Sequence, residues 1–257
     1  MSQFQRYIGI DYSGAQTPFS SLKGLRVYQA SAHAAAKEVL PPPSPRKHWT
    51  RHGIALWLLQ QLADDIPTIV GIDHGFSFPV RYFEAHGLPM NWDAFLLDFT
   101  DHWPTHDGIY VDFVRNGSVG HGALRQGQAR WRRECEIRCR AKSVFHFDVQ
   151  GSVAKSTHAG IPWLLFLRGQ LGAVHFWPFD GWRIPVGRSV VLEAYPALYK
   201  RSYAPEDRTP DQHDAFSVAS WLRDADDDGR LQVALQPNLQ PSLLEQARVE
   251  GWVLGVE

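Results

Sequence analysis

Apolar residues at 54, 57, 58 and 62 of "GIALWLLQQLADD" recur with helical spacing and predict a helix over 53–65. Shorter apolar runs surround it. Tyr7–Ile10 and "GLRVYQA" at 24–30 read as strands joined by a loop rich in Gly, Ser and Pro. "VLPPPSPRKH" at 39–48 is a proline-broken connection, which excludes a central strand. Beyond Pro67, "TIVGID" at 68–73 is a further short apolar run of β type. The pattern then loosens over 76–185, where Trp, His and Gly are frequent. Two helices are expected inside that stretch, a basic one over 124–142 and a second near 153–170.

Regular patterning returns with Val190–Leu192, a strand that ends in Glu193 and is closed by Pro196. Apolar or small residues at 215, 216, 218, 219 and 222 predict a helix over 209–226. The acidic run "DDDGR" at 226–230 reads as its solvated end. A last helix over 242–249 and a strand-like "GWVLGV" at 251–256 complete the chain. No internal repeat is visible.

Composition changes this picture little. Hydrophobic residues make up 44% and charged residues 21% of the 257, ordinary values for a globular chain. A net charge of −1 gives no global attraction to nucleic acid or to an anionic membrane. The two cysteines, Cys135 and Cys139, are too few for a structural zinc site or a disulfide framework. With no apolar run of membrane-spanning length and no signal-like N-terminus, the expectation is a cytoplasmic protein with no membrane partner.

The candidate chemistry lies where strands stop. "YIGID" ends in Asp11, "IVGID" in Asp73 and "VVLE" in Glu193, and the helix over 209–226 opens with Asp211 and Asp214. Carboxylates gathered at neighbouring strand ends repel one another unless a cation neutralises them. Mg²⁺ or Mn²⁺, hard ions that prefer oxygen ligands, are the cofactors this pattern suggests, with metal-assisted phosphoryl chemistry as the reaction class. Each acid also has a plainer role. Asp11 can cap the "DYSGA" turn and Asp73 the bend before Pro79. Glu193 can pair with Arg188 or Arg201. Asp211 reads as a helix N-cap, and Asp214 as a first-turn acid favoured by the helix dipole.

"IGIDYSGA", "GIDHGFSFP", "VLEAYPALY", "HDAFSVASWL" and "EGWVLGV", in that order, resemble the DUF429 family of predicted nucleases with a ribonuclease H-like fold. The resemblance runs from residue 6 to the C-terminus and is weakest in the centre. It implies an α/β fold with a mixed sheet and flanking helices. It also implies a single domain over 1–257 with 76–185 as a large insertion between the fourth and fifth strands. The first and fourth strands of that fold lie side by side, which would bring Asp11 against Asp73, with Glu193 and Asp214 joining them. By position, Asp11, Asp73 and Asp214 match the family fold's metal-binding acids, and Glu193 the acid of its E-x-Y-P motif. The glutamate usual on the first helix has no counterpart in "IALWLLQQL".

Around these acids, Ser13 and Gly14 form a turn suited to close approach of a ligand. Lys155 is a phosphate-binding candidate. "ALRQGQARWRRECEIRCRAK" holds seven basic residues against Glu134 and Glu136, with Trp131 among them. Arg130 and Arg133 from this stripe are substrate-binding candidates for a nucleic acid backbone. The plain alternative is a solvated helix with Glu134–Arg138 and Glu136–Arg140 pairs. His74 and His213 adjoin the acids and are outer-shell or proton-shuttle candidates, together with Asp211.

Three functions compete. The first is a divalent-metal-dependent nuclease or phosphodiesterase. The second is an actin-like or sugar-kinase-like phosphotransferase, disfavoured because the chain has no Gly-Gly for an adenosine loop. The third is a non-catalytic ribonuclease H-like protein that binds nucleic acid or nucleotide.

Overall fold

The computed structural model describes residues 2–42 and 47–257. Positions 43–46 of the proline-broken connection lie outside the described residues. The chain opens with β1 (Arg6–Asp11), β2 (Arg26–Ser31) and β3 (Ala34–Glu38), followed by α1 (Arg51–Leu62) and β4 (Thr68–Asp73). Helices α2 (Val80–His86), α3 (Trp92–His102), α4 (Val111–Arg115), α5 (Glu134–Arg138) and α6 (Ala154–Gln170) come next. Strands β5 (His175–Phe176) and β6 (Val190–Glu193) precede α7 (Pro210–Asp227), α8 (Arg230–Ala234) and α9 (Pro241–Glu250).

The strands form one mixed sheet in the order β3-β2-β1-β4-β6-β5. β1 pairs antiparallel with β2 and parallel with β4, and β4, β6 and β5 continue parallel. One face packs Ile8, Ile10, Val70 and Ile72 against Ile54 and Leu58 of α1 and Leu164 and Leu167 of α6. The other packs Tyr7, Ile69, Val190 and Leu192 against Val218 and Leu222 of α7 and Trp252. This is an α/β fold with a mixed six-stranded sheet and flanking helices.

Local chemistry sets the element ends. Thr50 caps α1, its side chain accepting from Gly53 N at 2.9 Å. Thr209 caps α7, with Pro210 at the first helical position and Gln212 reaching back to Thr209 N at 3.0 Å. Thr209, not Asp211, is therefore the cap. Helix α6 runs through Pro162, whose missing N–H orphans the His158 carbonyl; Thr105 Oγ1 donates to that oxygen at 2.9 Å.

Two glycines bring α7 onto the sheet. A Cβ on Gly9 would fall 2.3 Å from the Ala215 carbonyl oxygen, and one on Gly71 2.7 Å from Val218 Cγ1. Gly9→Ala should therefore destabilise the fold by about 1–3 kcal/mol, the usual range for overpacking. Urea denaturation measures it, and an unchanged midpoint would show that α7 can shift to make room.

Several sequence expectations are corrected. The basic helix over 124–142 is only the five-residue α5, preceded by a 3₁₀ turn at Gly122–Arg125. The start of the "DDDGR" run is not solvated: buried Asp226 accepts from the backbone N–H groups of Gln3 and Phe4 and from the Tyr7 hydroxyl. "GWVLGV" contributes only an isolated bridge between Val253 and Glu193. Strand β3 carries no strand pattern in its Ala, Lys and Glu residues and forms by antiparallel pairing with β2. No helix among the described residues is long and apolar enough to cross a membrane.

Candidate functional site

Parallel pairing of β1 with β4 sets Asp11 directly opposite Asp73. Neighbouring strands lie about 4.8 Å apart, and paired residues project on the same face. Gly9 and Gly71 are two residues back on each strand and meet α7, so the two carboxylates leave the sheet on the α7 side. There they enter a cleft of about 570 Å³, lined also by Ser13, Gly14, Tyr110, Lys155, Tyr195, Lys200, Asp211 and Asp214.

Glu193 is out of phase with this pair. Its register partner on β4 is Ile72, not Asp73, so alternation sends its side chain to the opposite face. Both of its oxygens are held there by Arg133, Nη1 to Oε2 at 2.7 Å and Nη2 to Oε1 at 2.6 Å. Phe76 N also donates to Oε2. The expectation of Glu193 beside Asp11 and Asp73 is thus corrected, and its partner is neither Arg188 nor Arg201.

Arg133 is 1% exposed. Its Nε donates to Glu136 Oε1 at 3.0 Å, which displaces the expected Glu136–Arg140 pair; Glu134–Arg138 does form. A guanidinium so enclosed cannot meet a substrate. Arg130 is exposed and lies outside the cleft lining. The basic stripe therefore splits into one internal ion-pair hub and separate surface residues.

Asp11 and Asp73 have no hydrogen-bond or ion-pair partner among the described residues. Burial, then the neighbouring Asp73 charge, raises the Asp11 carboxyl well above the ordinary carboxylate range. Burial, then the charges of Asp214 and Glu193, pushes Asp73 up to about 8. Asp214 is partnered: Lys200 Nζ donates to its two oxygens at 3.0 and 3.1 Å. Asp211 lies in the cleft wall beside Gly24.

Lys155 lines the cleft, with its ammonium donating to Asp112 Oδ2 at 2.8 Å. His74 is buried; its Nδ1 donates to the Gly75 carbonyl, and burial pushes it down to about 4. It packs against the Tyr12 and Phe76 rings as a neutral group, which removes it as a proton shuttle near neutral pH. His213 Nε2 lies 3.2 Å from the Lys200 carbonyl and props that residue's backbone.

Two contributors escaped the sequence reading. Lys200 sits in the acid cluster, signalled only by its place at the end of "YPALYK". Arg51, fully buried in the first turn of α1, donates to the carbonyls of Ser13, Ala15 and Gln16 and fixes the loop after β1. That loop is pressed on the start of α6: a Cβ on Gly14 would lie 2.0 Å from the Lys155 carbonyl oxygen.

The donor set suits a hard divalent ion in part. Two unpartnered carboxylates on adjacent strands match the one or two that Mg²⁺ commonly takes, with waters and substrate oxygens filling the remaining positions. No group of three or more His, Cys, Asp or Glu side chains placed to hold a metal occurs among the described residues. Compared with known proteins, the chain matches no family model and has no significant match among curated proteins or solved structures.

Proposed function

We propose that this chain is a divalent-metal-dependent phosphoester hydrolase of ribonuclease H-like design, with a nucleic acid or nucleotide as substrate. The in-register meeting of Asp11 and Asp73, half-buried and unpartnered among the described residues in an open cleft, carries the reading. The strand order β3-β2-β1-β4-β6 supports the fold resemblance, with the segment between β4 and β6 as its insertion within one domain over 1–257. Two free cysteines suit a reduced, cytoplasmic setting.

Asp11 and Asp73 are the residues that would hold Mg²⁺ or Mn²⁺. When bound, such an ion supplies positive charge to phosphoryl oxygens and makes water easier to deprotonate. The chain's own groups do the rest. Asp11 and Asp73 give up the protons that their burial favours. The loop after β1, held by Arg51 and pressed at Gly14 against the start of α6 rather than left open to a ligand, fixes the cleft wall beside Asp11. Lys155, steadied by Asp112, offers a cation at the cleft wall.

Asp11→Asn should abolish specific Mn²⁺ uptake in isothermal titration and cut phosphodiester cleavage at least a hundredfold, with the fold retained by circular dichroism. Wild-type uptake and turnover in that variant would end the proposal. The missing three-ligand group favours one alternative, a non-catalytic nucleotide- or nucleic-acid-binding protein. Absence of ion uptake in the wild type would select it.

A further inference from the structure

We infer that Lys200 is a specificity-determining residue of the cleft: by occupying Asp214 it restricts the acid cluster to one divalent ion and stands as the second positive charge itself. The inference rests on the hydrolase reading and concerns how many ions its site takes and what completes it.

Asp11, Asp73, Asp211 and Asp214 all line one cleft, and a pair of ions held among carboxylates is the arrangement that stabilises both the attacking and the leaving oxygen in phosphoryl transfer. Here Asp214 is already engaged. Lys200 Nζ sits nearly equidistant from both Asp214 oxygens, at 3.0 and 3.1 Å, so neither oxygen is left with the full charge an incoming ion would need. Asp11 and Asp73 are free of such partners among the described residues. The acids thus divide into an open pair at the strand ends, Asp211 apart from it beside Gly24, and a closed Asp214.

Lys200 is suited to a second task. An ammonium has three N–H donors, and those toward Asp214 leave one unspent among the described residues. Its side chain is 40% exposed, and the residue lines the same cleft as Asp11 and Asp73. The other lysine of the cleft, Lys155, is turned to Asp112. The Lys200 backbone is fixed from two sides. It lies in the 3₁₀ turn Lys200–Ser202, directly after buried Tyr199, and its carbonyl faces His213 of α7. A cation tied to the chain in this way cannot be lost to a chelator, and it presents its remaining donor to a phosphate oxygen.

The test is isothermal titration of MnCl₂ into the full chain as wild type, Lys200→Met, Lys200→Arg, Asp214→Asn and Asp11→Asn. The wild type should take one ion per chain. Asp214→Asn should bind it with an affinity within threefold of the wild type, whereas Asp11→Asn should lose it. Lys200→Met should take a second ion or hold the first at least tenfold more tightly. Lys200→Arg should restore the wild-type isotherm, which separates charge from mere packing. Loss of the ion in Asp214→Asn, two ions in the wild type, or an unchanged isotherm in Lys200→Met would each overturn the inference and leave the hydrolase reading standing. No uptake by either the wild type or Lys200→Met would instead remove the hydrolase reading, and the inference with it.

Discussion

Arg133→Met should lower stability by about 3–5 kcal/mol, the usual consequence of removing one partner from a buried ion pair. The side chain is 1% exposed and joins parts of the chain far apart in sequence. It binds Glu136 on its own turn, Glu193 at the end of β6 and, more distantly, the Glu250 carbonyl at the end of α9. Methionine of similar length would fill the space but leave Glu136 and Glu193 facing each other with no cation. Burial already raises the Glu136 carboxyl, and loss of the guanidinium that opposes this would raise it further. Its raised folded pKa would make the variant regain stability relative to wild type as pH falls. Urea denaturation at pH 5 and pH 7.5 checks both statements. A loss below about 1 kcal/mol at pH 7.5 would show that the hub is dispensable. Adding Glu193→Gln to Arg133→Met should recover part of the loss by deleting one stranded charge.

Asp73→Asn has the opposite expected sign. Burial and neighbouring acids push Asp73 up to about 8, whereas an unfolded aspartate titrates near 4. Between those two values the folded chain keeps a proton that the unfolded chain releases. The wild type therefore loses stability as pH rises across that window, with the loss complete above about pH 8. Asparagine has no proton to lose. Each pKa unit corresponds to about 1.36 kcal/mol, but solvent in the cleft screens part of it, so a net gain of about 1–3 kcal/mol is expected at pH 8.5. At roughly 2–4 °C per kcal/mol, thermal melts without added metal should show the variant above the wild type at pH 8.5 and level with it near pH 4. Mn²⁺ should raise the wild-type Tm at pH 8.5 and leave Asp73→Asn unmoved. A variant less stable than the wild type at high pH would show that the Asp73 carboxylate is a structural partner.

Much of this arrangement was legible in the residues. β1, β4 and β6 show as short continuous apolar runs, because both faces of each are covered, whereas α1 and α7 show in helical periodicity, because each buries one side. The acids at the strand ends were equally visible. What a strand end does not reveal is phase. Asp73 and Glu193 both close short apolar runs, yet a one-residue offset between β4 and β6 puts them on opposite faces. Register is a relation between two strands, and neither strand contains it alone. β3 escaped because Ala34–Glu38 consists of Ala, Lys and Glu, residues poor in strand propensity; pairing with β2 overrides that preference. Arg133 was hidden among six other basic residues, since burial of one of them depends on what folds over it. Lys200 looked like any surface lysine until α7 brought Asp214 to it.

The contact of α7 with the sheet through Gly9 and Gly71 has a consequence for how the cleft can vary. Where side chains separate a helix from a sheet, each substitution in that layer alters the spacing. At Gly9 the spacer is main chain, whose dimensions no substitution in α7 can alter. The gap between Asp214 and the strand-end acids is thus gauged by backbone thickness. The outer face of α7 is left free to drift without retuning the gap, and any widening of the cleft has to come from the opposite wall, where the α6 end and the Tyr110 loop stand.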